Sequence, residues 1–225
     1  MDILDKALKE GRETLSEYES KIVLASYHIP VTREIIIQKS DDIISAAHEI
    51  GYPVVIKGCS PEITHKTEKG LIQTDIRDDR EALDAFNNIM AGMNGGHGSI
   101  LIQEMIKGKR ELVIGLIRDP QFGPCVMFGL GGIFTEILKD VSFRLAPLEK
   151  RDTLEMMDEI KAHKILDAVR GMDAVDRDIL SEILINVGRI GVENDTIKEI
   201  DINPVIISGN RPVAVDALIV LQPSG

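Results

Sequence analysis

The C-terminal part of the chain constrains the fold more than any other, because apolar and polar side chains alternate there with a period of two. Ile200 and Ile202 fall on one face of an extended strand. Three polar residues alternate with them on the opposite face: Glu199, Asp201 and Asn203. The segment 208–211, Ser-Gly-Asn-Arg, is typical of a tight hairpin turn. Counting back from that turn, the predicted antiparallel register places Asn203 directly opposite Asp216.

Oxygen-bearing residues paired in this way are suited to a divalent metal ion. Carboxylate and amide oxygens are ligands that Mg²⁺ prefers, and Mg²⁺ commonly takes only one or two protein carboxylates together with substrate phosphates. The pattern therefore predicts a metal–nucleotide site at Asn203 and Asp216. The alternative is that Glu199 and Asp201 form only the solvated face of an edge strand. A register shift of one residue would also abolish the pairing.

Net charge and hydropathy exclude several classes of protein. The chain has 225 residues, with 26 Lys and Arg against 37 Asp and Glu, so its formal net charge is −11. Because this charge repels a polyanion, we expect no nucleic acid partner. No apolar run approaches the roughly 18 residues that a membrane helix needs, and the acidic, polar N-terminus is not typical of a signal peptide. We therefore expect no membrane association and a cytoplasmic location.

Strand and helix patterns predict an α+β fold. A first helix is predicted at 15–27, with Tyr18 and Ile22 among the residues of its apolar face. The succession strand, helix, strand, strand, helix, strand follows and completes an N-terminal βαββαβ lobe over 14–104. A C-terminal lobe over 105–222 is predicted to contain β-rich segments, two long helices and the closing hairpin, the first of those helices spanning 152–169. No long linker separates the lobes, so we expect a single unit over residues 1–225.

A second chemical motif lies between two strands of the N-terminal lobe. The apolar strand PVVIK ends at Lys57, and the loop after it returns to the next strand at Gly70. Lysines and backbone amides of such a loop can cradle phosphate groups. Its polar residues include His65, Lys66, Thr67 and Lys69. The loop lacks the GxxxxGK[ST] sequence of a Walker P-loop, and a surface turn with solvated lysines is the alternative explanation.

Several separated blocks of the sequence match one known family in the same order. They are PVVIK with SPEITHKTEKG, IQEMIKGKREL, RDPQFGP with GLGGIFTEILKDVSFRLAPL, and EIDINPV with VAVDA. In these blocks the chain resembles the small, ATP-grasp subunit of NDP-forming acyl-CoA synthetases, the β subunit of ADP-forming acetate–CoA ligases. The resemblance extends from about residue 14 to residue 220. It implies an ATP-grasp fold, in which two lobes clamp a nucleotide.

The resemblance implies roles for individual residues in binding ATP or ADP. Lys57 is expected to contact the nucleotide phosphates, and Glu111 the ribose hydroxyls. Arg144 is expected to offset phosphate charge. The strand-end hinge that faces adenine is expected at Glu104, Met105 and Ile106.

The resemblance also concerns the metal and a turn of the active site. Asn203 and Asp216 match the family's Mg²⁺ ligands, with Asp201 beside them. Gly131 and Gly132 are expected to shape a turn next to the nucleotide. The family match thus favours the metal site over the solvated strand.

The resemblance gives His65 the most specific role. In this family a histidine of the partner subunit takes phosphate from an acyl phosphate, and a second histidine delivers it to ADP. His65 in the Thr-His-Lys loop resembles that second carrier. An imidazole suits this task because it is nucleophilic near neutral pH. A loop histidine that only binds phosphate is the alternative.

The implied reaction is that of an acid–thiol ligase: ADP + phosphate + acyl-CoA ⇌ ATP + carboxylate + CoA. We find no pattern of a CoA-binding Rossmann domain or of a domain that forms acyl phosphate. The resemblance therefore implies a larger α subunit that carries both, in an α₂β₂ heterotetramer. The alternatives are a stand-alone ATP-grasp carboxylate–amine ligase and a non-catalytic nucleotide-sensing module.

Overall fold

A computed structural model describes residues 3–61, 70–93, 98–132, 140–169 and 171–222 of the chain. Within them the helices are α1 (Ile3–Lys9), α2 (Glu17–Ser26), α3 (Ile43–Ile50), α4 (Asp79–Gly92), α5 (Lys150–Glu159) and α6 (Arg177–Glu193), with 3₁₀ turns at Ser40–Asp42 and His163–Leu166. The strands are β1 (Glu34–Ile37), β2 (Val54–Cys59), β3 (Ile72–Ile76), β4 (Ser99–Glu104), β5 (Glu111–Asp119), β6 (Gly123–Leu130), β7 (Val141–Leu145), β8 (Ile197–Ser208), β9 (Arg211–Ala214) and β10 (Ala217–Leu221). In the described part of the chain, no helix has the length and apolar character needed to cross a bilayer.

The chain divides into two compact units. The smaller unit consists of residues 16–18 and 32–106. The larger unit consists of residues 1–15, 19–31 and 107–225. These limits differ from the lobes expected at 14–104 and 105–222, because residues 19–31 belong to the larger unit. Their apolar side chains, Leu24 and Ile29 among them, lie in the core of that unit.

The smaller unit is a four-stranded antiparallel sheet packed against α3 and α4. Its strand order is β1-β4-β2-β3. β4 lies between β1 and β2 and pairs antiparallel with both, so β1 and β2 run in the same direction without being neighbours. The predicted succession of strands and helices is confirmed. Apolar residues of alternate strand positions, such as Ile56 and Ile102, form the core with the two helices.

Short polar and glycine signals explain where the helices begin and end. α4 begins after Asp78, whose carboxylate accepts the backbone N–H of Glu81 at 2.9 Å. α6 begins after Asp176, which accepts the N–H of Ile179 at 3.1 Å. α3 ends at Ile50 and is followed by Gly51, whose φ of 95° suits a helix C-terminus.

The larger unit is a six-stranded sheet packed against α5 and α6. The strand order is β10-β8-β5-β6-β7, and β9 also pairs with β8. Phe128, Leu184 and Ile200 are among the fully buried residues of its core. Because β8 lies between β5 and β10, it is an interior strand, and the alternative of an edge strand is wrong.

Two helix predictions differ from the structure. In α2 the buried apolar residues are Val23 and Leu24, whereas Ile22 is 40% exposed. Four consecutive apolar residues occur there, so periodicity does not select one face. The helix predicted at 152–169 ends at Glu159. Beyond it the Asp140 carboxylate accepts the backbone N–H groups of Lys161 and Ala162, both at 2.7 Å, so these groups do not continue the helical hydrogen bonds.

Arg110 connects three parts of the larger unit. The residue is only 3% exposed, and its guanidinium donates to four backbone carbonyls. These belong to Ile165 (3.2 Å), Asp167 (3.4 Å), Asp173 (2.7 Å) and Gly209 (3.1 Å). Its own carbonyl accepts the N–H of Ile207 at 3.0 Å. Arg110 therefore fastens the segment after α5 and the hairpin turn to the start of β5.

Replacing Arg110 by lysine should destabilise the larger unit. A lysine has no planar fork and cannot donate to four carbonyls at once, so Arg110→Lys is expected to lower the free energy of unfolding by about 2–4 kcal/mol. Urea denaturation would measure this. The control is Arg151→Lys, since the Arg151 side chain is 85% exposed and its replacement should change stability by less than about 0.5 kcal/mol. Equal stability of the two variants would contradict the role of Arg110.

Candidate functional site

The hairpin of β8 brings Asn203 and Asp216 together as predicted. Pairs on both sides of them, Val205 with Ala214 and Ile202 with Ala217, keep the expected register. Between these pairs the Asn203 N–H donates to the backbone carbonyl of Asp216 at 3.2 Å. The predicted second strand is interrupted here and forms β9 and β10. The register prediction is confirmed, and Asn203 lies directly opposite Asp216.

The polar face of β8 brings several carboxylates close enough together to repel one another. Asp201 is partly buried, and burial raises its pKa to about 6, with the charges of Glu199 and Asp216 contributing in the same direction. Asp216 is held in place by the N–H of Ala217, which donates to its Oδ1 at 2.8 Å. A cation beside these groups would offset the free-energy cost of desolvating the carboxylates and reduce their mutual repulsion.

The donor set fits an Mg²⁺ ion that arrives with a nucleotide. Among the described residues, no three His, Cys, Asp or Glu side chains form a group that could hold a metal by themselves. Mg²⁺ needs only one or two protein carboxylates when phosphates and water supply the remaining oxygens. Asn203 and Asp216 offer an amide and a carboxylate, and Asn203 is solvent-exposed. These two residues would hold the ion, which would neutralise phosphate charge.

Glycines create close approaches around Glu111. The N–H of Gly131 donates to the Glu111 carbonyl at 2.8 Å, and a Cβ at Gly131 would lie 2.8 Å from the backbone of β5. Gly132 has a φ of +69°, and a Cβ there would lie 2.8 Å from the Glu111 carboxylate. The turn predicted at these glycines therefore lies against Glu111, the residue predicted to bind ribose.

Lys57 lies in a buried central strand and has a partner that the sequence did not indicate. Its Nζ donates to Glu17 Oε1 at 2.7 Å, and the two side chains are 4% and 1% exposed. β2 lies between β3 and β4 and is buried along its whole length. Glu17 is the first residue of α2, in a sequence that resembles a capping box, so no local signal distinguished it from a solvated glutamate.

Glu104 is tied to the segment that enters β1. Its Oε1 accepts the backbone N–H of Arg33 at 2.8 Å, and its Oε2 accepts the Arg33 Nε at 3.2 Å. Met105 and Ile106 follow β4 outside regular secondary structure and are partly buried. The expected hinge therefore begins at a strand end that a side chain holds in place.

Arg144 is engaged by acidic residues in this structure, and His65 cannot be placed. The Arg144 guanidinium donates to Glu159, which lowers the pKa of that carboxyl, and lies 3.7 Å from Glu155. These carboxylates compete with the phosphate contact expected of Arg144. His65, Lys66 and Lys69 lie outside the described residues.

The sequence as a whole is similar to one known family. An ATP-grasp domain model matches residues 6–221. The chain belongs to the ATP-grasp family. This ATP-grasp chain is 45% identical over 225 residues to the β subunit of acetate–CoA ligase [ADP-forming] I from Pyrococcus furiosus, covering 98% of this chain and 97% of the relative. It is 36% identical to acetate–CoA ligase [ADP-forming] I from Archaeoglobus fulgidus, covering 98% of this chain but 33% of that longer protein.

A solved structure with the same fold supports the family assignment. The acetyl-coenzyme A synthetase 1 of Ca. Korarchaeum cryptofilum, described as dinucleotide forming, matches with a TM-score of 0.87 and 44% identity, covering 98% of this ATP-grasp chain and 99% of that chain. It was solved with coenzyme A and Mg-AMPPCP, with its phosphohistidine segment pointing towards the nucleotide binding site. The expected α+β, ATP-grasp fold is confirmed.

Removing the charge of Asp201 should stabilise the chain in the absence of divalent ions. A carboxyl whose pKa is raised from 3.8 to about 6 on folding costs stability as the pH rises through that interval, and the full cost applies above it. Asp201→Asn is therefore expected to raise the free energy of unfolding at pH 8 by about 1–3 kcal/mol and to have little effect near pH 4.

Urea denaturation at both pH values in EDTA would measure this gain. The matched control is Asp84→Asn, because the Asp84 side chain is 67% exposed. A gain of the same size at pH 4 and pH 8 would show that charge repulsion is not its cause.

Proposed function

We propose that this chain is the nucleotide-binding subunit of an ADP-forming acyl-CoA synthetase, with the overall reaction ADP + phosphate + acyl-CoA ⇌ ATP + carboxylate + CoA. The observation that carries the proposal is the placement of Asn203 opposite Asp216 at a carboxylate-rich face. It occurs in a chain that matches the Pyrococcus furiosus β subunit over almost its entire length. Acetyl-CoA is the acyl substrate that the names of the relatives favour.

In this function each unit contributes its own nucleotide-binding groups. The larger unit provides Asn203 and Asp216 for Mg²⁺, and Glu111 for the ribose. The smaller unit provides Lys57 for the phosphates, and its hinge residues for adenine: Glu104, Met105 and Ile106. The short hydrogen bonds and glycine contacts around these residues hold them in place before the nucleotide binds, which lowers the ordering cost of binding. A contribution from Arg144 requires that it exchange its acidic partners for phosphate.

Phosphate reaches ADP through His65 in this proposal. The imidazole Nε2 or Nδ1 attacks the phosphorus of a phosphoryl donor, the donor's bond to phosphorus breaks, and the phosphoramidate then transfers its phosphoryl group to a terminal oxygen of ADP. The support is the position of His65 in the Thr-His-Lys loop, together with the phosphohistidine segment reported for the Korarchaeum relative.

A second subunit completes the enzyme. The Pyrococcus relative is named as a subunit, and the Archaeoglobus relative has about three times the length that this chain matches. We propose that the partner is a larger α subunit with the CoA-binding and acyl-phosphate-forming domains, assembled with this chain as α₂β₂.

The metal assignment predicts a loss of binding that depends on Mg²⁺. Asp216→Ala and Asn203→Ala are each expected to weaken Mg-ADP binding about tenfold or more, because a small set of protein ligands holds the ion. In EDTA the affinities for ADP should equal that of the wild type. Calorimetric titration measures both values, with Asp195→Ala, an exposed carboxylate, as control. Unchanged Mg-ADP affinity in both variants would refute the assignment.

The phosphate carrier predicts a loss of catalysis without a loss of binding. His65→Ala should abolish ATP formation by the two-subunit complex while leaving Mg-ADP affinity unchanged, because it removes a carrier and not a binding group. Labelling the complex with radioactive ATP under alkaline conditions, followed by peptide mapping, would locate the phosphohistidine. The control is His48→Gln, since the His48 side chain is 62% exposed. Near-normal ATP synthesis by His65→Ala would exclude the relay.

A further inference from the structure

Glu17 and Lys57 form an ion pair that is almost inaccessible to solvent. The Nζ–Oε1 distance is 2.7 Å, and neither side chain is more than 4% exposed. The two residues are 40 positions apart in the sequence and come from different elements, the start of α2 and the interior of β2. The contact is therefore a product of tertiary packing and not of a local helix or hairpin rule.

Stability alone does not explain this pair. Removing two charges from water commonly costs more free energy than their mutual attraction provides. A protein with apolar residues of similar volume in such positions is often at least as stable. Neighbouring positions of β2 are filled by buried apolar residues, among them Val55, Ile56 and Cys59, so the strand does not need a charged residue for packing. A charged pair in this strand indicates that the ammonium group serves a further purpose.

The strand geometry separates Lys57 from the core of the smaller unit. Successive residues of a strand face opposite sides, and Ile56 belongs to the core formed with α3 and α4. Lys57 therefore faces the other side of the sheet, as does its cross-strand partner Leu101. Glu17 meets it on that side. Because Glu17 occupies the first position of a helix, a carboxylate there also interacts favourably with the helix dipole.

We propose that Glu17 is a positioning residue, which holds the Lys57 ammonium where it contacts the nucleotide phosphates. The inference rests on the proposed function, in which Lys57 makes that contact. A lysine side chain is a long flexible stem that ends in a compact charge, so its position must be defined by partners. The carboxylate uses one of the three N–H donors of the ammonium and fixes its position before the nucleotide binds.

This role predicts a defect that is specific to phosphate. Without the carboxylate the ammonium loses this partner, so more of its ordering must occur when the nucleotide binds, and this ordering cost lowers affinity. Glu17→Gln, which preserves size and shape, should weaken Mg-ADP binding about fivefold or more. Binding of adenosine, which has no phosphate, should not change. Structural damage to the unit would instead weaken both ligands.

A double-mutant cycle on the full chain tests whether Glu17 acts through Lys57. Calorimetric and competition titrations with Mg-ADP and adenosine would compare the wild type, Glu17→Gln, Lys57→Met and the double variant, with thermal unfolding to establish that each is folded. We expect Glu17→Gln to weaken Mg-ADP binding in the wild-type background and to change it less than about twofold in the Lys57→Met background. The matched control is Glu19→Gln, since Glu19 lies in the same helix and pairs with Arg12.

The outcomes separate this inference from the proposed function. If Lys57→Met weakens Mg-ADP binding but Glu17→Gln does not, or if the two effects add fully, Lys57 keeps its role and the positioning role of Glu17 is overturned. If Lys57→Met binds Mg-ADP as the wild type does, the phosphate role of Lys57 and the inference are both overturned. Should Lys57→Met not fold, the comparison of Mg-ADP with adenosine in Glu17→Gln decides, and equal losses for both ligands overturn the inference.

Discussion

The pairing of β8 with strands on both of its sides is the constraint on which the larger unit depends. Ile200, Ile202, Val205 and Ile207 all point into the core, so a shift of one residue would bury the carboxylates of the same strand in apolar surroundings. Neighbouring β5 and β10 must accept the same register. The positions of Asn203 and Asp216 therefore follow from the energetics of the whole sheet and not from the hairpin turn alone.

The polar face of β8 and the glycines beside β5 each carry a local cost in stability. Burial raises the pKa of Asp201, with the charges of Glu199 and Asp216 contributing in the same direction, so the ionised carboxylate lowers stability at neutral pH. Gly131 and Gly132 approach Glu111 and the backbone of β5 so closely that a Cβ at either position would clash. Both features lower stability locally, the first through desolvation and charge repulsion and the second through the larger backbone entropy that glycine loses on folding.

The smaller unit also buries a charged group, in this case the ammonium of Lys57. A lysine in a strand that is buried along its length is compensated by a glutamate from another element. The compensation is contained within the smaller unit, since Glu17 and Lys57 both belong to it.

Local patterns in the sequence determined the strands, the helix caps, the hairpin register and the candidate metal residues, because each depends on neighbours within one turn or one hairpin. The βαββαβ succession and the register around Asn203 are examples. Only the tertiary structure decided that α2 buries Val23 and Leu24, that Arg110 binds four carbonyls, and that Glu17 meets Lys57. These contacts join residues that are distant in the sequence, and their partners are selected by packing and desolvation, to which no local spacing corresponds.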